Sequence, residues 1–422
     1  MVDLHLSSAL RKRWLVGLGL AVLAVLPYLR AFTLPFISDD YLVIGLARKW
    51  GVPSGWDELF ADALYRCRAT SLILTAAVER LFGLHAAMFT ATNVALHVVN
   101  VWMVALFGLW KPIGWGVSIP AAGFFALHEI HQEAVIWYSS QPELLVFFFV
   151  VTGLLVAVTG ELSAPRYTAV LACYVLALLS KESAVVMAPL LALALWRNGT
   201  EWRKAVIWAT PLALIAMVYA FLIFQESSTH LHLNDGSFSF RAPVWLVWPV
   251  SFARLFWFWG AAALAAIWYW KPEGWPGLLR VSLGWIAVTL IPYCFLTYMP
   301  RIPSRHTYLA SAGVALVVGL AWRTLPARLL PTTAAALIIA HNTVYIWTWK
   351  HQQFVKRAEP TEALLRLAKE AEPPYTVTCF PYSEEVAQHT LEVGARIQHP
   401  QVQVVRQESA AKSRAVCLSQ GQ

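Results

Sequence analysis

The chain has 422 residues, of which 58% are hydrophobic and 13% charged, with a formal net charge of +8 and a mean hydropathy of +0.56. A soluble globular chain carries roughly a quarter charged residues, so the polar groups here are too few to cover a surface facing water, and a chain this apolar is not a disordered one. A polytopic integral membrane protein remains, and no basic run has the density of a nucleic-acid footprint.

A membrane-crossing helix takes about 20 mostly apolar residues. The first such run, 14–34, follows Arg11, Lys12 and Arg13. A signal-peptide cleavage site needs small residues, and Tyr28, Arg30 and Phe32 stand there instead. The run therefore reads as an uncleaved first span. The stretch 35–86 reads as an outer loop with amphipathic helices at 41–50 and 56–66 lying along the membrane surface. Long spans are predicted at 88–109, 205–224, 244–270, 278–297 and 329–348. Shorter ones fall at 115–128, 142–160, 165–180, 183–196 and 307–322, which makes about eleven in all.

Basic residues set orientation. With the N-terminus inside, Arg11, Lys12, Arg13, Lys111, Arg166, Arg197, Arg203, Lys204, Lys271, Arg280, Arg323 and Arg328 all fall on inner stretches. The balance predicts a cytoplasmic N-terminus and an extracytoplasmic C-terminus. Many of the 21 Trp stand where apolar runs meet polar residues, among them Trp50, Trp110, Trp202 and Trp275; rings of that kind anchor helices at the headgroup level.

Residues 350–422 change character, because charges rise and the long apolar runs stop. A helix is predicted at 362–372, a strand at 376–380, a helix at 384–397, and strands at 402–405 and 415–418. The expected organisation is thus a membrane domain, 1–349, and a small soluble α/β domain, 350–422. Cys379 and Cys417 fall on neighbouring candidate strands, where a bridge in an oxidising compartment and two free thiols are equally open. The other cysteines, Cys67, Cys173 and Cys294, form no CxxC and imply no zinc site.

Polar residues are scarce enough that each cluster is a candidate. Ser38-Asp39-Asp40-Tyr41 follows the first span; adjacent carboxylates repel, which raises one of them toward a value useful for accepting a proton. A helix N-cap is the competing reading. Thr90, Asn93, His97 and Asn100 share one helical face and read as interhelical hydrogen bonding that supports a site. His128-Glu129-Ile130-His131-Gln132-Glu133 is rich in ionisable groups at bilayer depth but lacks the spacing of a zinc-protease motif. Lys181 and Glu182 form a charged knot between short helices, each expected to neutralise the other. Arg301 and Arg305, with His306 and Tyr308, are placed to hold a phosphate through forked hydrogen bonds, against a reading as interfacial side chains reaching for the headgroups.

Taken in order, these motifs resemble those of the GT-C membrane glycosyltransferases, in particular the protein O-mannosyltransferase-like branch without its TPR array. The matching residues are Asp39, Asp40 and Tyr41; His128, His131, Glu133, Ala134 and Val135; the Glu143-Leu144-Leu145 run; Ser180, Lys181 and Glu182; and Arg305 and Tyr308. Glu129 stands where that family has Pro, His306 where it has Tyr, and Ser304 where it has an acid.

The resemblance implies an all-α GT-C-like fold in a bacterial inner membrane. It also implies transfer of a sugar from a polyprenyl-phosphate donor to an acceptor hydroxyl on the outer face, with inversion. Asp40, or second Asp39, would be the base. Arg305, Arg301, Lys181, Glu182, His128, His131, Glu133 and Tyr308 would bind substrate and lipid phosphate, with Asn93, His97 and Asn100 in support. No cofactor and no metal ligands are named; the lipid-linked sugar is the substrate and membrane lipid the surroundings. A transporter or flippase of a lipid-linked or small-molecule substrate, or a catalytically degenerate scaffold, is the alternative.

Overall fold

The computed structural model describes residues 2–226, 228, 233, 236–297, 301–325, 329–405 and 416–417, with side chains described from residue 13 onward except at 329, 416 and 417. The side chains of Arg11, Lys12 and Arg328, three of the basic residues expected on inner stretches, lie outside the described ones, as does that of Cys417.

The chain is mostly helical. Among the described residues, six helices are long and apolar enough to cross a membrane: Arg13–Thr33, Ala86–Leu109, Tyr138–Val158, Trp202–Gln225, Val244–Trp270 and Trp275–Phe295. The remaining candidate spans are the helices Trp115–Leu127, Ala164–Leu178, Met187–Arg197, Tyr308–Trp322 and Leu329–Tyr345, which run from 11 to 17 residues. At 1.5 Å per residue the first four of these reach about 16–23 Å, short of a hydrocarbon core of about 30 Å, whereas Leu329–Tyr345 continues directly into Ile346–Lys350. The expected number of about eleven is thus reached only by counting helices that do not cross a bilayer by length alone.

Tyr308–Trp322 is the central element, buried at every residue from Tyr308 to Ala321. Its small residues, Ala310, Ser311, Ala312, Gly313, Ala315 and Gly319, let neighbours approach closely, as interfaces between membrane helices require. A side chain at Gly319 would strike the Val117 carbonyl and Ala121 of Trp115–Leu127. Trp202–Gln225 is the opposite case, with Ile207, Met217, Val218 and Phe221 all exposed, as a lipid-facing helix should be.

The segment 35–86 folds as the helix Asp40–Trp50, the short helix Trp56–Ala61, a 3₁₀ turn over Tyr65–Arg68 and the helix Ala69–Phe82. The tail does not begin at a linker. Leu329–Tyr345 runs through a π turn, Ile346–Lys350, straight into the helix His351–Glu370, longer than the predicted 362–372 because it continues the preceding helix. Beyond it lie β1 (Tyr375–Thr378), the helix Glu384–His389, β2 (Val402–Val405) and β3 (Val416–Cys417).

The three strands are parallel in the order β2-β1-β3, with Val377 facing Val404 on one side and Val416 on the other. The Ser383 hydroxyl caps the helix by accepting from the Val386 N–H at 3.3 Å. Cys379 is disulfide-bonded, which removes the reading of it as a free thiol.

The tail is packed onto the segment 35–86. Val393 joins Phe36, Tyr41, Ile44, Val78, Phe89 and Tyr138 in one apolar cluster, and Gly45 leaves room for the His389 ring against the helix Asp40–Trp50. The helix that starts at the acidic pair is therefore held in place by the tail.

Candidate active site

Ser38 adopts a left-handed backbone, φ 52°, and the two carboxylates that follow find partners in different places. Asp40 is 2% exposed. One of its oxygens accepts from the Ile37 N–H at 2.8 Å, the other from the Ser139 N–H at 2.9 Å and the Ser139 hydroxyl at 2.7 Å. Asp40 thus ties the first-span exit to the segment before Tyr138–Val158. Burial pushes its carboxyl up to about 7, against the pull of the Ile37 and Ser139 donors. Asp39 lines a cavity and accepts from the Ser38 hydroxyl at 2.9 Å. Burial raises Asp39 as well, opposed by the Ser38 hydroxyl and by the charges of Arg357 and Arg305.

Across the cavity the charges form two pairs. Lys181 does not pair with Glu182. Side chains one residue apart point away from each other, and Lys181 reaches Glu143 instead, with His306 Nδ1 at 3.1 Å from its ammonium. Glu143 also lies 2.5 Å from His306 and accepts from the Tyr293 hydroxyl at 2.8 Å. The rings of Tyr293 and His306 stack at 4.6 Å. Glu182 is held by both arms of the Arg68 guanidinium, at 2.5 and 3.2 Å.

Glu133 organises a third set. Its carboxylate takes Arg305 at 2.7 Å and Arg357 at 3.4 Å on one oxygen, and the Ser304 hydroxyl at 2.8 Å and the Arg305 N–H at 3.2 Å on the other. Both guanidiniums lie over the Trp137 ring, at 5.0 and 4.2 Å from its centre. Burial alone would raise Glu133; Arg305, Ser304 and Arg357 outweigh it and hold the carboxyl well below the usual range.

The resulting cavity has a volume of about 530 Å³ and two unlike ends. Asp39, Arg68, Lys181, Glu182, Arg305 and His306 give it a charged head. Tyr219, Ile223, Phe224, Phe240, Ile291 and Phe295 give it an apolar wall built from Trp202–Gln225, the 236–240 segment and the end of Trp275–Phe295.

Of the residues singled out from the sequence, Asp39, Lys181, Glu182 and Arg305 come together here, and Glu133 stands directly behind Arg305. Others do not line it. His131 is fully buried with Ser311 Oγ at 2.6 Å, and His128 packs on the Phe124 ring. Tyr308 turns its hydroxyl to His97 Nδ1 at 2.7 Å and to Asn100 at 3.4 Å. His128, His131 and Tyr308 therefore belong to a core network with Asn93, His97 and Asn100. Asn93 and Asn100 donate to the Trp137 and Leu144 carbonyls at 3.3 and 3.0 Å. Arg301 lines a different cavity.

The sequence alone assigns no role to Arg68, Tyr293 or Arg357, and Glu143 enters only as part of the Glu143-Leu144-Leu145 run. The available signal for Glu143 was a lone carboxylate entering an apolar helix; for Arg68 and Arg357 there was none. Among the described residues, no group of three or more His, Cys, Asp or Glu side chains is placed to hold a metal ion.

No protein-family model matches the chain, and no curated protein matches its sequence. Solved structures do. The oligosaccharyltransferase AglB from Archaeoglobus fulgidus, in complex with an inhibitory peptide and a dolichol-phosphate, superposes with a TM-score of 0.54 at 13% identity, over 93% of this chain and 64% of its own. A second structure of the Archaeoglobus fulgidus oligosaccharyltransferase, in complex with Zn and sulfate, gives 0.53 at 14%, over 92% and 62%. ArnT from Cupriavidus metallidurans, bound to undecaprenyl phosphate, gives 0.53 at 12%, over 96% and 90%. The chain thus spans less than two thirds of the oligosaccharyltransferase length. These likenesses show the fold, which is of GT-C type, and the six long apolar helices mark an integral membrane protein.

Proposed function

We propose that the chain is a membrane glycosyltransferase that moves a sugar from a polyprenyl-phosphate donor to an acceptor hydroxyl on the outer face of the membrane, inverting the anomeric centre. The observation that carries this reading is the two-ended cavity. A polyprenyl phosphate needs cations for its phosphate and an apolar wall for its chain, and both occur within one volume.

Asp39 accepts the proton of the acceptor hydroxyl as that oxygen attacks the anomeric carbon. The bond from this carbon to the phosphate oxygen breaks, and the lipid phosphate leaves with the electron pair. Arg68, Lys181 and Arg305 stabilise the charge that develops there. Asp40 is a clamp in this scheme, and Glu133 aims Arg305. The further parts of the proposal are a mannosyl-type hexose as the sugar, a cytoplasmic N-terminus, residues 1–349 as the catalytic membrane domain and 350–422 as an outer domain in a bacterial inner membrane. The disulfide at Cys379 suits an oxidising, extracytoplasmic compartment.

The test is to incubate nanodisc-embedded protein with radiolabelled mannosyl phosphoryl polyprenol and membrane glycan or protein acceptors. Label in an acceptor supports the enzyme. Label that only crosses the bilayer of a sealed vesicle supports a flippase, and binding without either supports a scaffold.

A pH dependence follows. The base works only when ionised, so activity is lost as pH falls through the Asp39 midpoint, which burial places above the ordinary carboxylate value. Arg357 pulls that midpoint down. Arg357→Gln should therefore shift the acid limb upward and cut the rate more at pH 6 than at pH 8, as a rate–pH profile of both proteins would show. An unshifted limb would separate the tail from the site.

A further inference from the structure

A second cavity, of about 460 Å³, lies on the other side of the Glu133 set. Arg301 lines this one and Arg305 the first. Between them Gln132 donates to the Ser304 hydroxyl at 3.0 Å, and Ser304 to Glu133 at 2.8 Å. The partition is thus a hydrogen-bonded wall, and what binds on one side need not share the other.

The second cavity is cationic. Arg254, Arg301 and Lys350 face it against a single carboxylate, Glu129. Among the described residues, neither Arg254 nor Arg301 makes an ion pair or a side-chain hydrogen bond, whereas Arg68 and Arg305 are both paired. Two guanidiniums and an ammonium against one carboxylate leave this cavity with excess positive charge, which a bound anion would offset.

The rim points to where that anion comes from. Trp257 is 62% and Trp349 64% exposed, amphipathic rings of the kind that mark the headgroup level. Trp257 also breaks the helix Val244–Trp270 with φ 37° and ψ −142°, a conformation in which a bulky residue is a genuine outlier. Such outliers cluster at functional sites. Basic pockets between membrane helices bind lipid head groups by charge.

We propose that this cavity is a second, separate anion site that takes a phosphate mono- or diester group, with Arg254 and Arg301 as its ligands and Lys350 at its rim. Its ligand is distinct from whatever occupies the first cavity, and its binding requires no transfer reaction.

The experiment is native mass spectrometry of the detergent-purified full chain, titrated with phosphatidylglycerol or with phosphatidylcholine of matched acyl chains. The wild type should prefer the anionic lipid by about tenfold or more, the effect of a charge-assisted hydrogen bond. Arg254→Gln/Arg301→Gln should lose that preference, and Lys350→Gln should lose part of it without touching the interior. Arg68→Gln, in the first cavity, should keep it. Competition by millimolar inorganic phosphate assigns the site to soluble phosphate groups, and resistance to it assigns the site to a lipid headgroup; either result requires the site itself. The proposal is overturned if the double variant and Lys350→Gln both bind as the wild type does. It is equally overturned if Arg68→Gln alone removes the preference, since all anion binding would then belong to the first cavity.

Discussion

Asp39→Asn is expected to lower glycosyl transfer by about 10²–10⁴-fold, the usual contribution of a positioned general base, at unchanged yield and thermal midpoint. The substitution is nearly isosteric, and among the described residues the Asp39 carboxylate takes a side-chain hydrogen bond only from the neighbouring Ser38 hydroxyl, which an amide oxygen also accepts. Its partner in sequence behaves differently. Asp40→Asn sets an amide N–H₂ against donors that all need an acceptor, the Ile37 N–H and the N–H and hydroxyl of Ser139. Leaving such buried groups unpaired costs about 1–3 kcal/mol, so this variant should lose stability and rate together. Rate and thermal midpoint measured on both purified variants separate the two roles. Full transfer by a folded Asp39→Asn protein ends the assignment of Asp39.

That distinction shows what the sequence makes legible and what it does not. An acidic pair after a first span is visible as a string, but which of two adjacent carboxylates faces the cavity depends on the left-handed Ser38 and on Ser139, 99 residues away from Asp40. The same holds for Lys181 and Glu182. Their proximity in sequence suggests mutual neutralisation, yet each finds a distant partner, Glu143 or Arg68, because successive side chains diverge. His128 and His131 were conspicuous for being ionisable at bilayer depth; packing against Phe124, Ser311 and Tyr308 turns them into core.

Local pattern carried further in the tail. The apolar stretches 376–380 and 402–405 have the β-branched composition of strands, and β1 and β2 lie at Tyr375–Thr378 and Val402–Val405. The boundary at 349 was not legible, since charge content changes there while the helix runs on through Lys350. The number of spans is opaque for a related reason. A helix such as Met187–Arg197 is apolar enough to be buried in protein and too short to reveal whether it meets lipid.

Lys181→Met should produce the largest loss of stability among the site variants. The Lys181 and Glu143 side chains are 11% and 4% exposed, so removing the ammonium strands a carboxylate that retains only His306 and the Tyr293 hydroxyl. Breaking a buried pair from one side costs about 3–5 kcal/mol. Glu143→Gln strands the ammonium in turn, and His306 still lies 3.1 Å from it. The double variant Lys181→Met/Glu143→Gln removes both charges, and its destabilisation should be well below the sum of the singles, because neither leaves an unpaired ion. Thermal unfolding of the four proteins in one detergent measures the coupling. Additive losses would mean that the two charges do not stabilise each other. Transfer should fail in the double variant even where stability returns, since the cavity has lost one of the cations that receive the departing phosphate. Recovery of stability without recovery of rate thus separates what Lys181 does for the fold from what it does for the lipid phosphate.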